Sequence, residues 1–356
     1  MYEQMRINSH KGQYTVDFDD AGLKKLGEWD EMTTHFIVDQ KVAQLYPEAL
    51  LPVLNSNSVV LLEAMEDNKS LEKIPEYVES LVNKKIRRNH TLIAIGGGII
   101  QDITCFLSST MLRGIDWVFY PTTLLSQADS CIGSKSSINC SGTKNILGTF
   151  NPPKQINLST RFLSTLEQSE LKSGMGEILK VHAIAGPKYF SKIKNNYNAL
   201  FSNSRLMMEA IHDSLKIKKS YIEKDEFDQG PRQVFNYGHS FGHAIEAATH
   251  FAIPHGIAVS IGCDMANFCA LRLGISTNQI FDNMHPIFQA NYQGYENVEI
   301  PFELFITAIG KDKKNTGKDI LSLILPNQVG KIFKDHYTND EDLQKIFKEY
   351  LSKLKK

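Results

Sequence analysis

The chain has 356 residues, 42% hydrophobic and 22% charged, enough apolar surface for two cores. Its formal net charge is −1, which gives no sign of a nucleic-acid footprint or a membrane-surface patch, so an anionic substrate has to be held by a local cluster of cations. No apolar run approaches the roughly eighteen residues of a spanning helix, and MYEQMRINSHKGQ has no apolar stretch behind Arg6; neither anchor nor secretory leader is expected, and the cytoplasm is the expected location.

In chain order, HFIVD, SVVLLEA, TLIAIGGG and WVFYPTT read as strands, with amphipathic helices at PEYVESLVNKKI and IIQDITCFLSSTML between them. Strands alternating with helices predict a parallel sheet with crossover helices, a Rossmann-like α/β domain over residues 1–157. The Gly- and Pro-rich stretch NCSGTKNILGTFNPPKQ reads as a surface connection between two halves. From Leu158 the helical period dominates, through TRFLSTLEQSELKSGMGEILKVHAIA, NSRLMMEAIHDSLKIKKSYIEKD and HSFGHAIEAATHFA, predicting a mainly α-helical second domain over 158–356. The closing EDLQKIFKEYLSKLKK is an amphipathic helix whose basic end suits a helix C-terminus. Cys105, Cys131, Cys140, Cys263 and Cys269 form an odd set without a CxxC pair and are expected to be reduced packing residues.

Four segments carry chemistry. IAIGGGIIQD runs from strand to helix through Gly96, Gly97 and Gly98, a turn that lets a pyrophosphate approach backbone N–H groups at a helix N-terminus. A tight turn with no ligand, with Asp102 as a helix cap, is the ordinary alternative. PTTLLSQADSCIGSKSSINCSGTKNILG places Thr122, Thr123, Asp129, Lys135, Lys144 and Asn145 in a stretch suited to anionic groups, or else to a solvated loop. KSGMGEILKVHAI puts Glu177 and Lys180 on one helix face. FNYGHSFGHAIE sets His239 and His243 at i, i+4, the spacing by which one helix offers two imidazoles to a metal, and His255 follows in PHGIAVSIG. Three histidines and a glutamate without cysteine favour Zn²⁺ or a similar ion in an open catalytic site. Lys218, Arg232, Asn236, Lys313 and Lys314 add cations and an amide for a substrate carrying phosphate and carboxylate.

The succession GGGIIQD, RGI, PTTLLSQADSCIGSK, TKNILGTFNPP, SGMGEILK, RQVFNYGHSFGHAIE, HGIAVSIG and DKKNTGK resembles the 3-dehydroquinate synthase family of sugar-phosphate cyclases, in order and spacing, from about Ser70 to Asn327. The resemblance implies Zn²⁺ or Co²⁺ on Glu177, His239 and His255, with His243 moved to the phosphate side. It implies NAD contacts at Asp39, Glu66, Lys69, Gly97, Gly98, Asp102, Thr122, Thr123, Lys135 and Lys144. Substrate contacts follow at Asp129, Lys135, Asn145, Lys180, Lys218, Arg232, Asn236, His243 and Lys313. Arg113 matches an arginine that reaches the neighbouring subunit's site, which implies a homodimer. The implied reaction cyclises 3-deoxy-D-arabino-heptulosonate 7-phosphate to 3-dehydroquinate and phosphate, a step of the shikimate pathway, with NAD recycled and no net redox change. Met65, Ser134, Thr143 and Ile257 depart from the family's usual residues, while Arg232, Asn236 and His243 are kept and favour a carboxylate-bearing substrate. Two other readings stay open: a cyclase of another sugar phosphate, and a metal-dependent polyol dehydrogenase, which does not need so many cations. A paralogue that binds ligand without turnover is opposed by the intact Glu177, His239 and His255.

Overall fold

The computed structural model describes residues 2–18, 23, 26–311, 315 and 319–355. It forms two compact units, Met1–Leu166 with Lys219–Phe227, and Glu167–Lys218 with Asp228–Lys356. Lys313 and Lys314 lie outside the described residues.

The first unit is α/β. Its strands are β1 (Met5–Ser9), β2 (Gly12–Phe18), β3 (Thr34–Asp39), β4 (Val59–Leu62), β5 (Thr91–Gly96), β6 (Asp116–Pro121), β7 (Ile138–Cys140), β8 (Thr143–Leu147) and β9 (Gln155–Leu158). Seven of them make one sheet in the order β1-β2-β9-β6-β5-β3-β4, parallel except for the β1–β2 hairpin at its edge. The expected strands are all there, and their near-continuous apolar runs are what a parallel sheet covered on both faces requires. Phe36, Val38, Ile93, Ile95, Val118 and Tyr120 supply core on one face, against Val42 of helix α1 (Gln40–Leu45) and Val53 of α2 (Leu51–Leu54). Helices α3 (Ile74–Asn83) and α4 (Gly98–Thr110) complete the unit.

Strand β3 pairs with β4 on one side and β5 on the other, so chain order reverses between β3 and β5. In open α/β sheets, ligands bind outside the carboxyl ends of strands at such a switch point. Here those ends are Asp39 and Gly96. The stretch expected to link the halves is instead the β7–β8 hairpin followed by β9, itself part of the sheet. Its Gly and Pro serve turns within the unit.

The second unit contains α5 (Gln168–Ala185), α6 (Pro187–Leu200), most of α7 (Ser204–Ile222), α8 (His239–Ala248), α9 (His255–Arg272), α10 (Asn278–Tyr292), α11 (Phe302–Gly310) and α12 (Glu341–Leu354). It also holds an antiparallel hairpin, β10 (Ile320–Pro326) with β11 (Ile332–Thr338), which the helical periodicity did not predict. Helix α9 is the hub, buried from Gly256 to Ala270, with apolar residues around most of its circumference and a buried polar stripe at Ser260, Asp264 and Asn267. A Cβ on Gly256 would stand 1.8 Å from the Ser173 carbonyl oxygen, and one on Gly176 2.0 Å from that of Gly256. Glycine at both positions lets the α5 and α9 backbones touch. No described helix is long and apolar enough to cross a membrane. All five cysteines are free, four of them buried.

Candidate functional site

The close packing of α5 on α9 brings Glu177, midway along α5 and 1% exposed, to the first residue of α9, His255. Gly238, at φ +76°, turns the chain into α8 so that His239 is its first residue. Glu177 Oε1 lies 3.5 Å from His239 Nε2 and 3.4 Å from His255 Nε2. Donors about 2.0–2.2 Å from a tetrahedral ion stand about 3.3–3.6 Å apart, so these three atoms are spaced as ligands of one ion. One nitrogen from each of His239, His243 and His255 also falls within 4.8 Å of the others. His243 is the exposed member, its ring 5.2 Å from His239 and 5.7 Å from His255.

The far side of the His239 and His255 rings is held by the protein. His255 Nδ1 is 3.2 Å from both Glu246 oxygens, and His239 Nδ1 is 3.3 Å from the Tyr237 carbonyl. With Nδ1–H donating there, Nε2 is the nitrogen turned toward Glu177 and the one that would give up its proton to a metal ion. Lys180 Nζ lies 2.5 Å from Glu177 Oε2. Yet neither buried oxygen of Glu177 receives a well-aligned hydrogen bond among the described residues, so the carboxylate keeps acceptor capacity for an ion. Burial works against its charge, but Lys180 and then His255 outweigh that and hold its pKa well below the carboxylate range. Burial likewise opposes charge on His255, but Glu177 and Glu246 push its pKa up to about 10. Two carboxylates around one imidazole call for positive charge at this point, which a divalent cation supplies.

Lys180, Lys218 and Arg232 are buried, at 2%, 6% and 5% exposure. Three buried cations in one mainly helical unit are rare where packing alone is at stake. Arg232 and Asn236 share the 3₁₀ turn Pro231–Asn236, which packs on α5, with the ring of Phe235 5.7 Å from Lys180 Nζ. Asn236 Nδ2 donates to Gln233 O at 3.1 Å, and Lys218 lies on α7.

In the first unit, Gly97 caps α4 without a side-chain bond and Gly98 is its first residue. A Cβ on Gly97 would meet Thr123 Cγ2 at 2.9 Å, whereas one on Gly98 would meet nothing within 4 Å. Packing within the protein explains the first glycine and not the second. Open space beside a helix N-terminus fits close approach of a phosphate. Asp102 lies one turn into α4 and caps nothing; it accepts from Ser137 N and Ser137 Oγ, both at 3.0 Å. Buried Lys69 gathers the neighbours, with Nζ 3.4 Å from Glu66 Oε1, 3.2 Å from Asp102 Oδ2 and 2.9 Å from Asn145 Oδ1. Asn145 thus stands with the expected nucleotide residues. Asp39 ends β3 and accepts from Lys41 N at the start of α1. Thr122 N donates to Gly96 O at 3.0 Å, and Thr123 Oγ1 bonds Ser126 Oγ at 2.8 Å, tying this segment to the glycine turn. Asp129 is half-buried in the π-helical turn Ser126–Ser130, and Lys135 and Lys144 are exposed. Arg113 is exposed between Leu112 and Gly114, three consecutive residues at φ +52°, +67° and +117°. Such a left-handed run is costly for side-chain-bearing residues, and it concentrates at functional sites.

Residues 59–173 match the 3-dehydroquinate synthase N-terminal family and residues 174–315 the C-terminal one. The chain belongs to the 3-dehydroquinate synthase family. It is 32% identical over 354 residues to the 3-dehydroquinate synthase of Dictyoglomus turgidum, covering 98% of each chain. It is 35% identical to that of Campylobacter hominis over 89% of this chain and 94% of the relative. Two solved structures share the fold. One is a 2-deoxy-scyllo-inosose synthase complexed with carbaglucose-6-phosphate, NAD⁺ and Co²⁺, with TM-score 0.86, 22% identity and coverage of 99% and 100%. The other is a 2-epi-5-epi-valiolone synthase from Streptomyces hygroscopicus with NAD⁺ and Zn²⁺ bound, with TM-score 0.80, 23% identity and 96% coverage of each chain.

Within this family member, sequence reasoning missed Glu246, Tyr237 and the Ser137 partner of Asp102. Glu246 closes the GHAIE motif seven residues after His239, two turns on and on the same face of α8, and is buried. Only its approach to His255, from the next helix, reveals its role.

Proposed function

We propose that this family member cyclises 3-deoxy-D-arabino-heptulosonate 7-phosphate to 3-dehydroquinate with loss of phosphate, acting as a carbon–oxygen lyase. The observation that carries the reading is the Glu177–His239–His255 cluster at ligand spacing, in a unit with three buried cations. Its residues fit a divalent ion, and the open backbone at Gly98 fits a nucleotide pyrophosphate. When bound, NAD⁺ supplies a reversible hydride acceptor and the divalent ion a Lewis acid for a substrate hydroxyl.

The chain's own residues do the rest. Glu177, His239 and His255 hold the ion, and Glu246 fixes the His255 ring. The α4 N-terminus at Gly97 and Gly98 receives the pyrophosphate, with Thr122, Thr123, Lys135 and Lys144 following. Asp39 accepts from ribose hydroxyls, and Lys69 keeps Glu66 and Asp102 in register. Lys180, Lys218, Arg232, Asn236 and His243 bind the substrate's anionic ends, with Arg232 clamping the carboxylate through two parallel hydrogen bonds. Asp129, Asn145 and Lys313 complete the substrate contacts. Arg113, held outward by its left-handed turn, serves the neighbouring subunit's site in a homodimer, and the enzyme works in the cytoplasm.

Phosphate release followed together with NADH absorbance tests this. The proposal requires phosphate to appear in step with substrate loss while NADH stays flat after any brief transient. NADH accumulating in proportion to substrate would establish a polyol dehydrogenase instead.

A further inference from the structure

The mainly helical unit contains a cavity of about 580 Å³ whose lining shares no residue with the metal and cation cluster. Its walls include the rings of Phe268 from α9, Phe281 and Tyr292 from α10, and Tyr350 from α12. Behind that wall stands Asp264, fully buried at 0% exposure. Its carboxylate accepts from Tyr292 Oη at 3.0 Å and Tyr350 Oη at 2.8 Å, and His285 Nδ1 lies 2.9 Å from both oxygens.

This arrangement fixes the chemistry of His285. A buried carboxylate favours the imidazolium, and Nδ1–H is spent on Asp264, so the Nε2–H edge is the part of the ring left to the cavity. The ring lies nearly parallel to Phe281, at 4.9 Å and 16°, with about a third of its side chain exposed (33%). Lys353 adds a second cation, its Nζ 4.9 Å from the Phe268 centroid and 2.8 Å from Glu349 Oε1. Glu296, the lining carboxylate, already accepts from Gly294 N at 2.6 Å within its own turn. Aromatic walls with three basic residues, His285, Lys353 and Lys355, around a space of ligand size suit an anion with a flat apolar body.

We infer that this cavity binds a small aromatic carboxylate, its ring against Phe268 and Phe281 and its carboxylate on His285 Nε2 and Lys353. The site is independent of the proposed turnover, so its test reads binding alone. Benzoate is titrated into the whole protein while the His285 ring resonances are followed by NMR, with benzyl alcohol and inorganic phosphate as comparison probes. Benzoate is expected to give saturable shifts at His285, and the other two probes markedly weaker ones. His285→Gln is expected to weaken benzoate, measured by calorimetry, roughly tenfold or more, the worth of a hydrogen bond to a charged group. If that variant unfolds, Gln289→Trp, which fills the cavity without touching Asp264, is expected to abolish the shifts. Absence of saturable shifts, equal binding of benzyl alcohol or phosphate, or unchanged benzoate affinity in Gln289→Trp would each overturn the inference.

Discussion

At the scale of single residues, the proposed ligands and the groups that would orient them can be told apart by substitution. His239→Ala removes one of three donors and is expected to lose metal and activity together; elemental analysis showing stoichiometric metal in that variant would refute the ligand set. Glu246→Gln should keep the fold and the ion while weakening metal affinity roughly 10–100-fold, the usual cost of losing an outer partner of a ligating histidine. Chelator competition measures this, and unchanged affinity would make Glu246 a packing residue. His243→Ala should retain near-normal metal and lose turnover, whereas metal loss matching that of His239→Ala would make it a ligand. The motifs around Glu177, His239, His243 and His255 were legible as a candidate metal site, but local spacing singled out the His239–His243 pair, and only the family resemblance chose Glu177, His239 and His255 among them. Glu246 was not legible: its partner sits nine residues on, across a turn, and only tertiary structure makes them neighbours.

At the scale of elements, the site depends on two backbones in contact. Gly256→Ala puts a methyl 1.8 Å from the Ser173 carbonyl, so α9 must move off α5. The expected cost is about 1–3 kcal/mol of stability, as for other overpacked interiors, with metal affinity falling as His255 leaves Glu177. Thermal unfolding and metal content report both, and a variant with unchanged metal affinity would show that the contact does not position the site. The strands β3, β4, β5 and β6 were readable because a buried parallel strand is a short apolar run between turn residues. The β1–β2 hairpin is not among the expected strands, although Met5 and Ile7 alternate with exposed Arg6 and Asn8. In β10, ILSLILP is buried nearly throughout and lacks the alternation that tells strand from buried helix.

At the scale of the whole molecule, acid tolerance and substrate choice are the properties to predict. His35, on β3, is 2% exposed, with Nε2 2.9 Å from His90 Nδ1 and, among the described residues, no hydrogen-bond partner for its own Nδ1. Burial, then His90 and Lys84, lower its pKa from 6.5 to about 4. The unfolded chain therefore takes up this proton first, and the stability carried by neutral His35 is complete above pH 6.5 and lost as pH falls through 4. The denaturation midpoint should drop across that window, and His35→Phe should flatten the drop; an unchanged slope would remove His35 from the account.

Substrate choice tests the central claim most directly. Arg232 is buried, and a guanidinium there without its carboxylate is expected to cost about 2–5 kcal/mol of transition-state binding, a fall in kcat/KM of roughly thirtyfold to several thousandfold. The measurement is kcat/KM for phosphate release from the heptulosonate phosphate and from a neutral-ended sugar phosphate such as sedoheptulose 7-phosphate, in the wild-type chain and in Arg232→Ala. The account predicts a strong wild-type preference for the carboxylate-bearing substrate that collapses in the variant. A wild-type preference for the neutral-ended sugar, barely altered by Arg232→Ala, would contradict it.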